Sequence, residues 1–220
     1  MNRTKTHSAR ALVAAALLLL LCSAAAAEAP GRIELPAPDT KGGMPLMQAL
    51  SLRATSRSYS PKELPAQVLG DLLWAATGVN RPESGKRTAP TARNWQQIDV
   101  YVATADGLYR YDHAAHALEL VLEKDLRAAT GTQGFVADAP VNLVFVADYT
   151  RMGNIPEEYK KFYAATDTGF VSQNVYLYCA SAGLATVVRG LVEREQLAEA
   201  MELGPEQHVV LAQTVGYPGE

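Results

Sequence analysis

Cysteine is nearly absent from this chain: Cys22 and Cys179 are the only two in 220 residues. Cys22 falls in the amino-terminal leader described below, so the mature chain keeps one cysteine and has no internal disulfide. Its core alone must hold it folded. Basic charge is also short, at 20 Lys and Arg against 23 Asp and Glu. A nucleic-acid partner wants a basic face, and nothing here supplies one. The apolar run Ala11 to Leu21 covers eleven residues, well under the roughly 20 that a helix needs to span a bilayer. Gly131-Thr132-Gln133-Gly134 lacks the glycine spacing of a dinucleotide fingerprint. His113 and His116 follow a strand in a turn without a third ligand nearby, and read as solvated turn histidines rather than a metal pair. No metal site is expected, no acid–base side chain stands out, and no repeat or low-complexity tract follows the leader.

The leader itself has the parts of a secretory signal. Arg3, Lys5 and Arg10 form a basic start, the Ala11 to Leu21 run follows, and Ala25-Ala26-Ala27 offers small residues for cleavage. Arg3 and Arg10 are not adjacent, so the signal is of the general rather than the twin-arginine kind. Leu21 is a poor residue before a lipidated cysteine, which sets cleavage after Ala27 ahead of lipidation at Cys22. Residues 1–27 are therefore expected to be removed, leaving an exported, periplasmic protein without a stable membrane span. Loss of Arg3, Lys5 and Arg10 leaves 17 basic residues against 23 acidic, a net charge of about −6.

What remains is an ordinary globular composition, 48% apolar and 20% charged over the full chain, enough for one domain. Residues 28–43 read as a linker or arm, and 44–220 as the domain. Met44 to Leu52 suits a short helix. Val68, Leu69, Leu72, Leu73 and Ala76 make one stripe of a helix over Leu64 to Thr77, with Gly78 at the left-handed position after it. Arg81 to Arg93 is polar and aperiodic, a long loop. Ile98 to Ala103 alternates as a strand, Asp106-Gly107 turns, Leu108 to Tyr111 returns, and Leu118 to Leu122 adds a third strand. Asp125 to Thr130 suits a short helix, and Tyr149 to Tyr159 a loop. Val141 to Ala147 is a strand covered on both faces. Lys160 to Ala182 is the longest helix, apolar nearly all round and so buried. Gly169 in its interior costs about 1 kcal/mol relative to Ala, which is sensible if something approaches closely there. A helix over Leu191 to Leu203 and a strand over His208 to Val215 complete the chain.

One stretch carries chemistry: Arg53-Ala54-Thr55-Ser56-Arg57-Ser58-Tyr59. Two arginines four residues apart, with hydroxyls between them, suit the oxygens of a phosphate on a nucleotide-like cofactor. The bland alternative is a solvated loop before a helix. Cys179, in the long helix, reads as a small core residue rather than a nucleophile. Trp95 fits either a pocket lining or ordinary core, and Gln173 and Asn174 fit structural hydrogen bonding.

In order, the segments RATSRSY, PTARNWQ, DGLYRYD, DAP with its buried strand, DTGFVSQN, SAGL and VGYP resemble the nitroreductase family of flavin mononucleotide (FMN) proteins. The resemblance runs from about Arg53 to Pro218. The Gly107-Leu108-Tyr109-Arg110-Tyr111 hairpin is most similar to the branch that includes azoline-oxidising dehydrogenases of peptide modification. The resemblance implies an α+β fold, a mixed and mainly antiparallel sheet flanked by helices. It implies a homodimer with two flavins at the subunit interface, where the long helix around Asp167 to Ala182 would be central. Arg53, Thr55 and Arg57 take the family's phosphate and ribityl positions. Asn94, with Thr91 and Arg93 beside it, matches the residue that meets the flavin ring or ribityl chain. Arg189 and Gly190 fall where backbone meets the isoalloxazine edge near N5. NAD(P)H would pass a hydride to N5 and a small organic acceptor would collect it, in ping-pong fashion. Two departures stand out: Ala54 replaces a polar or basic residue, and Pro218-Gly219-Glu220 carries no cation where the family places one. Export also separates the domain from the cytoplasm where FMN is made, and with the missing cation this keeps a second expectation open, an exported non-catalytic protein of the same fold that binds flavin, another planar ligand or only a partner protein.

Overall fold

The computed structural model describes residues 31–220, so the proposed leader and Cys22 lie outside the described residues. Strand β1 (Arg32–Glu34) is followed by helices α1 (Leu46–Leu52) and α2 (Ala66–Thr77) and the small hairpin β2 (Val79–Arg81) and β3 (Lys86–Arg87). A 3-10 turn over Ala92–Asn94 leads into β4 (Ile98–Ala103), β5 (Leu108–Asp112) and β6 (Ala117–Leu122). After a 3-10 turn (Arg127–Thr130) and α3 (Phe135–Asp138) come β7 (Val141–Asp148), α4 (Glu157–Ala182), β8 (Ala185–Arg189), α5 (Arg194–Ala200) and β9 (Gln207–Gly216).

The main sheet has seven strands in the order β1-β6-β5-β4-β7-β9-β8, and every pairing is antiparallel. This is the expected α+β arrangement. Its centre is β4 and β7, paired from Ile98 with Ala147 to Ala103 with Asn142. Side chains alternate across a strand, and here the alternation divides two cores. Ile98, Val100 and Val102 join Leu143, Phe145 and Ala147 against α2 and α4. Tyr101, Ala103, Val144 and Val146 face the other way, onto Leu197 and Met201 by α5. Each such aliphatic side chain contributes about 1.5–3 kcal/mol when buried.

Several elements differ from the sequence expectation. The arm is not a free linker: Arg32–Glu34 pairs with Ala117 to Glu119 as an edge strand. Beyond it, Asp39 N–H donates to Asp71 Oδ1 at 2.8 Å and Met44 N–H to Ser181 Oγ at 2.8 Å. Strand β8 and the β2–β3 hairpin were not expected; β2 and β3, of three and two residues, are too short to show a period. Gly78 is not left-handed, with φ −66 and ψ 161. It is glycine because a Cβ there would come within 2.4 Å of the Trp74 ring. The histidines are not solvated. His113 is 8% exposed and packs edge-on to Tyr111. His116 Nε2 donates to Pro36 O at 2.9 Å, which leaves Nδ1 to accept from Tyr111 OH at 2.7 Å. The turn folds against the arm and α2, so its two histidines point inward while Ala114 and Ala115 stay exposed.

Helix α4 starts three residues earlier than expected and is capped by Gly183 at φ 69. At 26 residues it is about 39 Å long. It buries one face: Ala164, Asp167, Thr168, Val171, Ser172, Val175, Tyr176 and Cys179. On the opposite side Phe162 is 61% and Phe170 44% exposed, with Gly169 between them facing open space. The sequence showed apolar residues on both faces, but one chain covers only one of them.

Candidate functional site

The site builds from three segments laid against α4 and β8. The first is the loop after α1. Arg53 ends that helix by donating its N–H to Ala49 O. The chain then runs beside β8, where Ser56 N–H donates to Thr186 O at 3.0 Å. Thr55 Oγ1 lies 3.1 Å from the hydroxyl of Tyr176, which in turn accepts the N–H of Val188 at 3.0 Å. The Arg53 guanidinium sits 5.4 Å from the Tyr176 ring centroid, a cation–π contact. Thus one side chain, Tyr176, fixes the first arginine, the threonine and β8 together. Arg57 is exposed, and no ion pair among the described residues involves Arg53 or Arg57. Two uncompensated guanidinium groups on a pinned loop suit a dianionic phosphate.

The carboxy-terminal segment sits on the same loop. Tyr59 bridges to Pro218, Ser60 N–H donates to Tyr217 O at 2.9 Å, and Gly219 N–H donates to Ser58 O at 3.1 Å. The segment carries no cation of its own, but Lys62 Nζ lies 4.4 Å from the centroid of the Tyr217 ring.

The second segment is the turn before β4. Arg93, Asn94 and Gln96 all adopt left-handed backbone, with φ 51, 56 and 51. Thr91 Oγ1 accepts Gln96 N–H at 3.0 Å and so closes the turn. Arg93 and Asn94 are exposed, and the Arg93 guanidinium lies 5.6 Å from the Trp95 ring centroid. The Asn94 carboxamide keeps one short-range contact, accepting from Gln96 Nε2 at 3.3 Å. Asp167 of α4 holds the turn from below through Ala92 N–H and Gln97 Nε2.

The third segment is the end of β8. Arg189 is 4% exposed and its guanidinium points inward. It donates to Thr214 Oγ1 at 3.0 Å, Thr130 O at 2.6 Å, Thr130 Oγ1 at 3.1 Å and Asn142 Oδ1 at 3.1 Å. Burial without a carboxylate pushes its pKa down to about 10. Its side chain is consumed by the fold, so only its backbone is available to a ligand. Gly190 follows, exposed, with its carbonyl accepting from Arg194 at 3.1 Å.

Arg53, Thr55 and the β8 end meet through Tyr176. The Thr91, Arg93 and Asn94 turn is held nine residues away on the same helix, about 14 Å along its axis. Asp167 and Tyr176 stand half a turn apart around α4, at the two edges of its buried face, so the Arg53 loop and the 91–94 turn are both tied to this helix but on different sides of it. Tyr176, Asp167 and Arg194 were not legible as site residues. The signal for Asp167 was a carboxylate placed on the buried face of a helix.

A family model described as the nitroreductase family matches residues 50–217. A nitroreductase-family protein of Methanocaldococcus jannaschii is 29% identical over 194 residues, covering 84% of this chain and 96% of that one. A nitroreductase-family crystal structure from Ralstonia eutropha is 48% identical with a TM-score of 0.83, covering 86% of this chain and 90% of its own. One from Desulfovibrio desulfuricans, solved in complex with FMN, shares the fold at 22% identity and a TM-score of 0.59, over 81% of this chain and 89% of its own. With the family model spanning most of its length, this chain belongs to the nitroreductase family.

Proposed function

We propose that this flavin-dependent oxidoreductase of the nitroreductase family binds its FMN along α4, with Arg53 and Arg57 at the phosphate. Asn94 and the backbone at Gly190 would lie at the ring. Bound FMN would supply the redox chemistry, a ping-pong hydride transfer between NAD(P)H and a small, electron-poor organic acceptor. The chain supplies binding and orientation. Thr55 and Tyr176 hold the cationic loop against β8, Arg194 fixes the Gly190 carbonyl, and the Asn94 carboxamide offers both a donor and an acceptor. The observation that carries the reading is the pair of unpaired arginines beside the Thr55–Tyr176–Val188 chain of hydrogen bonds.

The working unit is a homodimer, the general state of the family. Of the ten large hydrophobic residues that are exposed among the described residues, seven lie on α1 and α4, among them Leu46, Met47, Leu50, Phe162 and Phe170. A patch of that kind on a single chain calls for a second surface. The protein is exported to the periplasm by its leader, and its acceptor chemistry is related to the azoline-oxidising branch. The Gly107 to Tyr111 hairpin supports that affinity.

The test is the double variant Arg53→Ala with Arg57→Ala. FMN should be lost while the dimer is retained on a sizing column. Unchanged FMN affinity would show that the phosphate lies elsewhere. The wild type should be yellow and bleach with NADH or NADPH. A colourless protein that takes up no added FMN would favour the non-catalytic reading of the same fold.

A further inference from the structure

We propose that Asp167 is the positioning residue of this site: its buried carboxylate clamps both ends of the 92–97 turn onto α4 and so fixes where Asn94 stands. The inference rests on the flavin reading for the role it gives Asn94. A single atom does the clamping. Asp167 Oδ2 accepts Ala92 N–H at 3.0 Å and Gln97 Nε2 at 2.7 Å. These donors lie at the two ends of the turn. Asp167 is 2% exposed, Gln97 is fully buried, and no ion pair among the described residues involves Asp167.

The turn needs such a hold. Arg93, Asn94 and Gln96 are all left-handed without being glycine, and each such residue costs about 1–2 kcal/mol. The bonds inside the turn, Asn94 N–H to Thr91 O at 3.1 Å, Trp95 N–H to Ala92 O at 3.0 Å and Gln96 N–H to Thr91 Oγ1 at 3.0 Å, fix its shape but not its place. Three further hydrogen bonds tie it to other elements, Gln96 Nε2 to Gly85 O at 3.0 Å, Arg151 to Gln96 O at 3.0 Å and Asp148 N–H to Gln97 O at 2.9 Å, and the Trp95 ring packs edge-on to Tyr163 of α4. Asp167 alone hydrogen-bonds it to α4, the helix whose Tyr176 holds the phosphate loop. A neutral side chain would be less expensive to bury. A carboxylate is suited here because an ionised oxygen takes two converging donors more strongly than an amide oxygen does. The two halves of the site are thereby referred to one rigid element.

The test uses Asp167→Ala, Asp167→Asn and Asn94→Ala in the mature protein. In the flavin-free state, amide hydrogen exchange across 91–97 should accelerate in Asp167→Ala while β4 and β7 keep their protection. With FMN added, Asp167→Ala should weaken binding about tenfold, near the 1.4 kcal/mol of one positioned contact. The effect of Asn94→Ala should vanish in the Asp167→Ala background, because the two act through one turn. Asp167→Asn keeps the volume and one oxygen, should fall between, and carries the test if Asp167→Ala does not fold. Exchange across 91–97 equal to wild type, or additive losses in the double variant, would overturn the clamp. A wild type that takes up no FMN sinks the flavin reading instead, and the exchange experiment still decides whether the clamp exists.

Discussion

Replacing Tyr176 by Phe isolates the junction between the phosphate loop and β8. The ring stays, so the packing in the buried face of α4 and the Arg53 cation–π contact at 5.4 Å persist. The hydroxyl goes, and with it the contacts at 3.1 Å to Thr55 Oγ1 and 3.0 Å from Val188 N–H. Val188 N–H is left in a half-buried place without an acceptor, and an unmet donor of that kind costs about 1–3 kcal/mol. Partial access of water to Val188 puts the expectation near the lower end, about 1–1.5 kcal/mol. In a domain of this size that lowers Tm by about 2–6 °C. Thr55 also loses its restraint, so the Arg53 to Arg57 loop must be ordered when the phosphate binds. If about 1 kcal/mol of that cost falls on binding, FMN affinity drops roughly fivefold. Thermal melting of flavin-free protein measures the first effect, and titration of FMN by fluorescence quenching measures the second. A variant that melts earlier but binds FMN as tightly as wild type would show that Tyr176 supports the fold and not the site. A variant unchanged in both would refute the hydrogen-bonded chain itself.

Three further outcomes are expected. Burial, with Arg87 and Arg151 nearby, holds His113 well below the usual histidine pKa. It is neutral when folded and takes up a proton when unfolded, so its stabilisation is full above pH ~6.5 and is lost as pH falls towards its folded value. Urea unfolding should show stability falling by up to about 1.4 kcal/mol per pH unit in that window, and His113→Gln should flatten the slope. Gly78→Ala should destabilise by about 1–3 kcal/mol, because its Cβ meets the Trp74 ring. A neutral result would mean that Trp74 yields without cost. Phe170→Arg should shift the protein from dimer to monomer in light scattering, with the Tm of the single chain little changed, since that side chain is 44% exposed. A variant that remains dimeric would place the second copy elsewhere.

How much was legible depended on where the cause lay. The Asp106-Gly107 hairpin, the β7 run and the α2 stripe were readable because turn chemistry and periodicity are local. The Arg53 to Tyr59 stretch stood out for the same reason: its cations and hydroxyls are neighbours in the chain. The residues that position them were not. Asp167 meets Ala92 and Gln97 across separations of 75 and 70 residues. Tyr176 looks like any buried aromatic until Thr55 and Val188 close on it. Arg189 was read for its backbone, and nothing in the sequence signalled that its guanidinium is spent on Thr130, Asn142 and Thr214.

The sequence by itself determined the order and kind of the main elements, the scarcity of cysteine and basic charge, and the family to which the chain belongs. Short-range sterics, alternation and turn residues suffice for those. Only the tertiary structure decided that the arm becomes an edge strand, that His113 and His116 are enclosed and that Gly78 yields space rather than a left-handed turn. It also decided that one carboxylate and one tyrosine on α4 tie down the 92–97 turn and the loop after α1. Each of those depends on which distant surface arrives, and burial and hydrogen-bond satisfaction are settled only when it does.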